Sequence, residues 1–320
     1  MNEIHNPALR GIPTIGLGTA AWASPYPSVP QKQVIELITF ALTKGVTFFD
    51  TAPKYGHGLC EQFLGIALRR IPRGRYILAS KVGGYLEKPD GTHEYDISRE
   101  GILQSVEASL KRLGTDTIDI LHIHDPDHHY REALDVAFPT LAELRAQGVI
   151  KAIGAGMNQW QMLTDFAQKA DFDCFLLAGR YTLLEQGALG LLNLCQSKGI
   201  AVFLGGVYNS GILATGAIPD ARYNYRKAPP EILERVRRIE AVCARYAVPL
   251  YVAAVQFPLA HPGVAALVIG SQSPAELSET LAAQYWPVSP ELWADLGAEG
   301  LIVADAPVPI PPAIDRHINN

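Results

Sequence analysis

The feature that most restricts the fold is a recurring unit of strand followed by helix. Short apolar, β-type runs occupy Thr14–Leu17, Val46–Asp50, Tyr76–Lys81, Ile118–His122, Val149–Gly154, Cys174–Leu177, Ala201–Leu204 and Ala266–Ile269. Amphipathic stretches lie between them, among them QKQVIELITFALTKG, REGILQSVEASLKRLG, YREALDVAFPTLAELRAQG and PAELSETLAAQ. Gly45, Gly114, Gly148 and Gly199 each stand where a helix should stop ahead of the next strand, as a left-handed C′ residue does. Strands joined through helices pair in parallel by right-handed crossovers, and eight of them favour closure over an open sheet. The expectation is an α/β fold: a (β/α)₈ TIM barrel, with its active site at the C-terminal face of the strands and residues 1–320 as a single domain.

An open dinucleotide-binding sheet would need GxGxxG after the first strand and an acid about 20 residues later. The nearest candidate, Gly16-Leu17-Gly18-Thr19-Ala20-Ala21, lacks the third glycine and runs into AWASPYPSVP rather than a helix. Composition narrows the function classes. A net charge of −5 with no strongly basic stretch disfavours nucleic acid and anionic membrane as partners. The segment MNEIHNPALRGIP has neither the basic nor the apolar region of a signal peptide, and no apolar run approaches the roughly 20 residues of a membrane span. Cys60, Cys174, Cys195 and Cys243 show no CxxC spacing and read as reduced, mostly buried thiols. The chain reads as a cytoplasmic globular enzyme. Two segments break the periodicity: an insert at Tyr85–Ser98 after a strand end, where barrel substrate loops grow, and a proline-rich tail from Leu301 that reads as draped over a barrel face.

Ionisable residues recur at the ends of the strands. Asp50 closes GVTFFD, Lys81 closes YILASK, His124 closes DILHIH, and Tyr55 lies in the glycine-bearing loop APKYGHG. One strand-end aspartate can be a helix cap, and one histidine can be local polarity; four converging ends suggest proton transfer at a carbonyl or alcohol oxygen. A tyrosine with a pKa of about 10 needs help near neutrality. A neighbouring Lys ammonium is expected to lower it, with Asp50 holding Lys81 charged and His124 orienting the substrate oxygen. With no metal-ligand pattern or nucleophile elbow, hydride transfer with a bound nicotinamide fits this set. The cluster HIHDPDHH puts His122 and His124 on one strand face, but no second ligand group of HExxH or CxxC type accompanies it, so no metal is expected.

The segments GVTFFDTAPKYGHGLCEQFLGIAL, ILASKVG, SLKRLGTDTIDILHIHDPD and IKAIGAGMN, in this order and spacing, resemble the aldo-keto reductase superfamily from about Gly16 to the helix after Ser271. The resemblance implies Tyr55 as general acid/base, Lys81 and Asp50 as its tuning partners, and His124 as the substrate-orienting residue. It also implies a cofactor track. Thr19 and Asp50 lie at its start, Asn158 binds the nicotinamide carboxamide and Tyr181 stacks on the ring. Gly205, Gly206, Val207, Ser210 and Gly211 cover the pyrophosphate. Gly270, Ser271, Gln272, Ser273, Glu276 and Glu279 meet the adenosine end. Met157 replaces a common Ser and Ala178 a common Gln, so two carboxamide contacts differ from the family pattern.

NADPH-preferring relatives commonly carry Lys and Arg where this chain has Gly270 and Glu276. A 2′-phosphate would lose two cationic partners, each charge-assisted bond being worth roughly 1.5–3 kcal/mol, and would meet a carboxylate instead. The expected cofactor is therefore NAD in preference to NADP, although an acid in a first helical turn also has an ordinary capping role. The combination ASKVGGYL, HIHDPD, LLAGRYTLLEQ and GGVYNSGIL is similar to the aldose 1-dehydrogenase branch, which takes in L-fucose, L-galactose and D-threo-aldose dehydrogenases and pyridoxal 4-dehydrogenases. That branch oxidises a cyclic hemiacetal to a lactone with NAD(P). The implied substrate is an aldose such as L-fucose, L-galactose or D-arabinose, with pyridoxal oxidation and a general NADPH-dependent aldehyde or ketone reductase as alternatives. Trp22 and Tyr85 are further substrate-contact candidates beside Tyr55 and His124, with His57 and Trp160 suggested by their loops alone. Strand alternation is expected to turn Arg180 away from Tyr181, and no segment marks an oligomer interface.

Overall fold

A computed structural model describes residues 4–23, 28–83, 86–87 and 93–310. The chain begins with β1 (Ile15–Gly18), α1 (Gln31–Thr43), β2 (Phe48–Asp50), α2 (Leu59–Leu68) and β3 (Ile77–Val82). A hairpin of β4 (Leu86–Glu87) and β5 (His93–Glu94) leads to α3 (Arg99–Leu113) and β6 (Ile118–His124). A continuous helical stretch follows: α4 (Tyr130–Glu132), a π turn at Ala133–Ala137 and α5 (Phe138–Ala146). Then come β7 (Ile150–Met157), α6 (Trp160–Lys169), β8 (Cys174–Ala178), α7 (Leu189–Lys198), β9 (Ala201–Gly205) and the short α8 (Ile212–Thr215). A second hairpin, β10 (Arg222–Tyr223) and β11 (Arg226–Lys227), precedes α9 (Pro230–Arg245), α10 (Leu250–Leu259), β12 (Val264–Ile269), α11 (Pro274–Ala283) and α12 (Pro290–Ala298). Eight strands close into a barrel in the order β1, β2, β3, β6, β7, β8, β9, β12 and back to β1, and every pair is parallel. This is the expected (β/α)₈ architecture. The four helix-ending glycines have φ of +79°, +67°, +77° and +66° at Gly45, Gly114, Gly148 and Gly199, the left-handed stop that lets each helix turn back toward its strand. The Tyr85–Ser98 insert holds the small hairpin β4–β5 rather than being wholly irregular.

Strand alternation divides the apolar residues between two cores. Phe48, Ala79, Ile120, Ala152, Cys174, Leu176, Phe203 and Val268 fill the barrel interior, while their neighbours Phe49, Leu78, Leu121, Ile153, Phe175 and Leu204 pack outward under the helices. Two glycines make the interior possible. A Cβ at Gly16 would fall 2.5 Å from the Phe48 ring, and one at Gly154 would fall 2.2 Å from the His122 ring. The N-terminal segment closes the floor: Leu9 joins the interior cluster, Asn6 Nδ2 donates to the Lys151 carbonyl (3.0 Å) and His5 N–H to that of Gly199 (3.0 Å).

A buried aspartate, Asp119, and a partly buried one, Asp173, staple adjacent strands at this floor. Asp119 Oδ2 accepts from Leu78 N–H (2.8 Å) and Arg73 (2.5 Å), and Oδ1 meets Lys151 (2.7 Å). Asp173 Oδ2 likewise accepts from Ile153 N–H (2.7 Å) and Arg145 (2.6 Å). In the tail, Leu301 and Ile302 are buried and the Leu301 carbonyl accepts from Arg235 (2.6 Å), so this part lies against α9; residues 311–320 are outside the described residues. No single described helix is long and apolar enough to cross a membrane. All four cysteines are buried and unpaired.

Candidate active site

The strand ends bring Asp50, Lys81 and His124 together at one mouth of the barrel, and the turn after β2 adds Tyr55. Register explains the meeting: Asp50 pairs with Ala79 two residues below Lys81, and Lys81 pairs with His122 two residues below His124. Successive strands are staggered, so inward residues rise around the barrel in a spiral. Lys81 Nζ donates to Asp50 Oδ2 (2.7 Å) and to the Thr51 carbonyl (2.9 Å), with both charged groups almost fully buried. The ammonium also sits 4.9 Å from the centroid of the Tyr55 ring, and the Tyr55 and His124 rings meet edge to face at 5.9 Å and 90°.

The electrostatics refine the expected roles. Burial would lower the Lys81 ammonium, but Asp50 and Tyr55 outweigh it and hold it above its ordinary value, so it stays charged. Burial holds His124 well below the ordinary imidazole value, reinforced by Lys81 and Lys54, leaving it neutral. One of the two His124 ring nitrogens, Nδ1, is buried without a protein partner, as are Asp50 Oδ1 and both nitrogens of His122. Tyr55 departs from expectation. Lys81 does pull its phenol down, but burial is the larger effect and pushes it up to about 12. Tyr55 thus carries its proton at neutral pH.

Three cavities with shared walls run from this cluster. The first, about 450 Å³, is lined by Lys54, Tyr55, His57, Lys81, His124, Asp125, Met157, Asn158, Leu176 and Tyr225, among others. It shares Ala20, Tyr55, Leu176, Ala178 and Tyr225 with a second of about 240 Å³ lined by Gly205, Gly206, Val207, Ser210 and Gly211. The second shares Tyr208, Gly211, Ile269 and Gly270 with a third of about 250 Å³, which also has Ser271, Glu276, Glu279 and Thr280 in its wall. The result is one bent trough with a catalytic-type cluster at one end and two carboxylates at the other. A larger cavity of about 800 Å³ lies by α10 and the connection from α11 to α12, and its wall has none of the strand-end ionisable residues.

Several sequence expectations take different places. Tyr181 is buried, stacking on Phe257 (5.5 Å between centroids) and touching His261, and it does not line the trough. The reason is local: β8 ends at Ala178 and Gly179 turns left-handed (φ +67°), so alternation stops before Arg180 and Tyr181. Arg180 instead binds Glu185 (3.1 Å) and Asn224 (3.2 Å). Thr19 is fully buried, its hydroxyl donating to that of Thr51 (2.8 Å). Trp22 is also buried; its indole N–H donates to the Ser271 carbonyl (2.9 Å), making it loop packing rather than a pocket wall. Tyr85 lies outside the described residues. Asn158 does face the first cavity, although its Nδ2 already donates to the Ala178 carbonyl (2.7 Å), which leaves its Oδ1 for a ligand. Gln272 N–H donates to Glu276 Oε2 (2.8 Å) and Glu276 N–H to Ser273 Oγ (3.3 Å), a cap at the start of α11. Glu276 therefore serves the helix and also lines the trough. Trp160 lines none of the three cavities, while His57 lines the first.

Tyr225 is the wall residue that sequence reasoning missed. It sits at the tip of the β10–β11 hairpin, where Asn224 (φ +49°) and Tyr225 (φ +62°) form a two-residue turn, and its N–H donates to Ser210 Oγ (3.0 Å). Residues with φ > 0 at both turn positions mark a type I′ hairpin; Asn224 suits the first, but Tyr225 stands where glycine is usual, so YNYR carried only part of the readable signal. Asp125 and Lys54 were overshadowed by their catalytic-type neighbours His124 and Tyr55. Among the described residues, no group of three or more His, Cys, Asp or Glu side chains is arranged to hold a metal ion.

Comparison with known proteins agrees with this geometry. The sequence profile of the "Aldo/keto reductase family" matches residues 14–298. The chain is 36% identical to a pyridoxal 4-dehydrogenase from Microbacterium luteolum, covering 91% of this chain and 95% of that protein. It is 36% identical to a D-threo-aldose 1-dehydrogenase from a Pseudomonas species, with the same coverage. An L-galactose dehydrogenase from Arabidopsis thaliana is 27% identical, over 88% of this chain and 87% of that protein. Among solved structures, an aldo-keto reductase from Bacillus halodurans in its holo form superposes with a TM-score of 0.75 at 24% identity, covering 93% of this chain and 94% of the other. A glycerol dehydrogenase from Gluconobacter oxydans gives 0.75 at 22% identity, covering 97% and 98%.

Proposed function

Because the chain belongs to the aldo/keto reductase family and is an aldo-keto oxidoreductase, we propose that it oxidises the anomeric carbon of an aldose, in its cyclic hemiacetal form, to the lactone with NAD. The observation that carries this reading is the trough itself, which joins the Tyr55–Lys81–Asp50–His124 cluster to an end walled by Glu276 and Glu279. A nicotinamide dinucleotide fits that track. Gly205, Gly206 and Gly211 line this part of the track; Gly206 (φ +61°) and Gly211 (φ +99°) take left-handed backbone that favours glycine, and the space beside Gly211 is open. No Lys or Arg lines the acidic end among the described residues, so a 2′-phosphate there would meet like charge, which favours NAD over NADP. A Cβ at Gly270 would fall 3.1 Å from that of Ala21, so a lysine there would also crowd the loop after β1.

When bound, the nicotinamide would supply the hydride acceptor. Tyr55 would take the hemiacetal hydroxyl proton, and the buried ammonium of Lys81 would stabilise the phenolate that precedes this transfer. Neutral His124 would hold the same oxygen from the side. The high pKa of Tyr55 favours a second reading as well: a phenol protonated at neutrality is ready to donate, as reduction of an aldehyde requires. An assay of NAD⁺ reduction with L-fucose, L-galactose, D-arabinose and pyridoxal separates these. Turnover of a sugar supports the proposal; no response to any of the four overturns it, and activity with pyridoxal alone replaces the substrate. Parallel assays with NADP⁺ test the cofactor, and a higher kcat/KM with NADP⁺ would reject the preference for NAD.

A further inference from the structure

The wall of the first cavity contains a feature that hydride transfer does not require. Lys54 precedes Tyr55 in the chain and Asp125 follows His124, so each of the two residues nearest the reacting oxygen has a charged neighbour. Their side chains meet across the cavity, Lys54 Nζ lying 3.4 Å from Asp125 Oδ2, and both line it. The pair is loose. The buried Lys81–Asp50 pair beside it closes to 2.7 Å at side-chain exposures of 1% and 4%, whereas Lys54 and Asp125 keep exposures of 51% and 36%. An open pair of this kind contributes little to stability. Asp125 also has φ +44°, held by its N–H donating to the Gly156 carbonyl (2.9 Å). Aspartate is among the residues that take this conformation most readily, so the turn places its carboxylate in the cavity wall without needing glycine.

We infer that Lys54 and Asp125 form a clamp for a vicinal diol, holding two ring hydroxyls of a neutral polyhydroxylated substrate while its anomeric carbon faces Tyr55 and His124. The chemistry matches in sense. One hydroxyl donates to the carboxylate and its neighbour accepts from the ammonium, so the diol exchanges water for two charge-assisted hydrogen bonds. The paired charges cancel at long range, so an anionic substrate gains nothing from Lys54 without facing Asp125. Tyr225 lines the same cavity and adds an aromatic side chain to its wall. This inference rests on the hemiacetal reading above and adds the residues that would select a sugar within it.

The test compares two hemiacetals that share the reacting group: D-arabinose, and 2-hydroxytetrahydropyran, which lacks the ring hydroxyls. The variants are Lys54→Met and Asp125→Asn in the full chain; Lys54 is half-exposed, and asparagine tolerates a left-handed backbone, so both should fold. Loss of either partner should lower kcat/KM for the sugar mainly through KM. The ratio of sugar to lactol kcat/KM should fall tenfold or more, with Lys54→Arg retaining part of it. The ratio is the readout because Asp125 also influences Tyr55, which would affect both substrates alike. An unchanged ratio with an active wild type overturns the clamp and leaves the hemiacetal reading standing. A wild type that oxidises neither compound overturns both.

Discussion

The two ends of this barrel use the same residue types to opposite effect. At the floor, Asp119 is engaged on both oxygens, by Leu78 N–H and Arg73 at Oδ2 and by Lys151 at Oδ1, and Asp173 Oδ2 accepts from Ile153 N–H and Arg145. At the opposite mouth, Asp50 has one oxygen on Lys81 and the other buried with no protein partner. The histidines divide in the same way. His261, at the floor end of α10, accepts from Gly263 N–H at Nδ1 (3.0 Å) and meets Asn193 Oδ1 through Nε2 (3.1 Å), while His124 has Nδ1 without a partner. Buried polar groups are normally paired, because an unpaired one costs about 1–3 kcal/mol. Carboxylate pairing ties strands together at the floor, although Arg73 Nε there is buried without a partner. Incomplete pairing at the mouth keeps hydrogen-bonding capacity for molecules that arrive later.

Substitutions at the two ends should therefore register in different measurements. The largest effect is expected from Tyr55→Phe, which should lower turnover by about a thousandfold, within the range of general acid–base catalysis, while leaving the melting curve and cofactor binding nearly unchanged. Retained turnover would mean that another group moves the proton. Next is Asp119→Ala, which strands Leu78 N–H and Arg73 and should cost about 2–3 kcal/mol in chemical denaturation with little change in KM; an undiminished midpoint would remove the contrast.

The pH dependence sharpens the same comparison. Tyr55 is pushed up to about 12, and a base must be deprotonated, so sugar oxidation should rise with pH well beyond neutrality and reduction should fall. Lys81→Met removes the cation that lowers Tyr55 and should move the rising limb to higher pH, so that oxidation at any fixed pH falls. A limb that does not move would separate Lys81 from the titrating group. At the floor, burial lowers His261 to about 4 from an ordinary value of 6.5, so the unfolded chain binds its proton first. Stability is therefore complete above pH 6.5 and is lost progressively down to about 4. Between pH 7 and 5 the loss from this residue is about 1–2 kcal/mol, and His261→Gln should flatten that part of the stability profile.

The strand–helix repeat was legible because each barrel element carries a local signal: an apolar run, an amphipathic stretch, a glycine stop. The catalytic-type cluster was legible for a related reason, since strand ends converge in any closed barrel, and knowing where a strand ends places Asp50, Lys81 and His124. What was not legible depended on how the chain continues beyond a strand. Tyr181 turns into the core because Gly179 interrupts the alternation one residue after β8. Trp22 is drawn inward by a hydrogen bond to Ser271, which lies far away in sequence. The rise in the Tyr55 pKa likewise follows from its burial, which no pairwise reading of Tyr and Lys contains.

The floor plug has a consequence for how the molecule is made. Leu9 and its neighbours are synthesised before any barrel strand, yet their seat is among the last parts of the barrel to exist, because His5 docks on the turn at Gly199 and Leu9 joins an interior cluster that includes Ala266 and Val268 of β12. The opening segment must therefore wait in solvent while the barrel is synthesised around its eventual position. It is a contact of long sequence separation, the kind that forms slowly. Removing residues 4–12 should leave the nascent chain unchanged until synthesis is nearly over, and then deprive a finished barrel of its closing step.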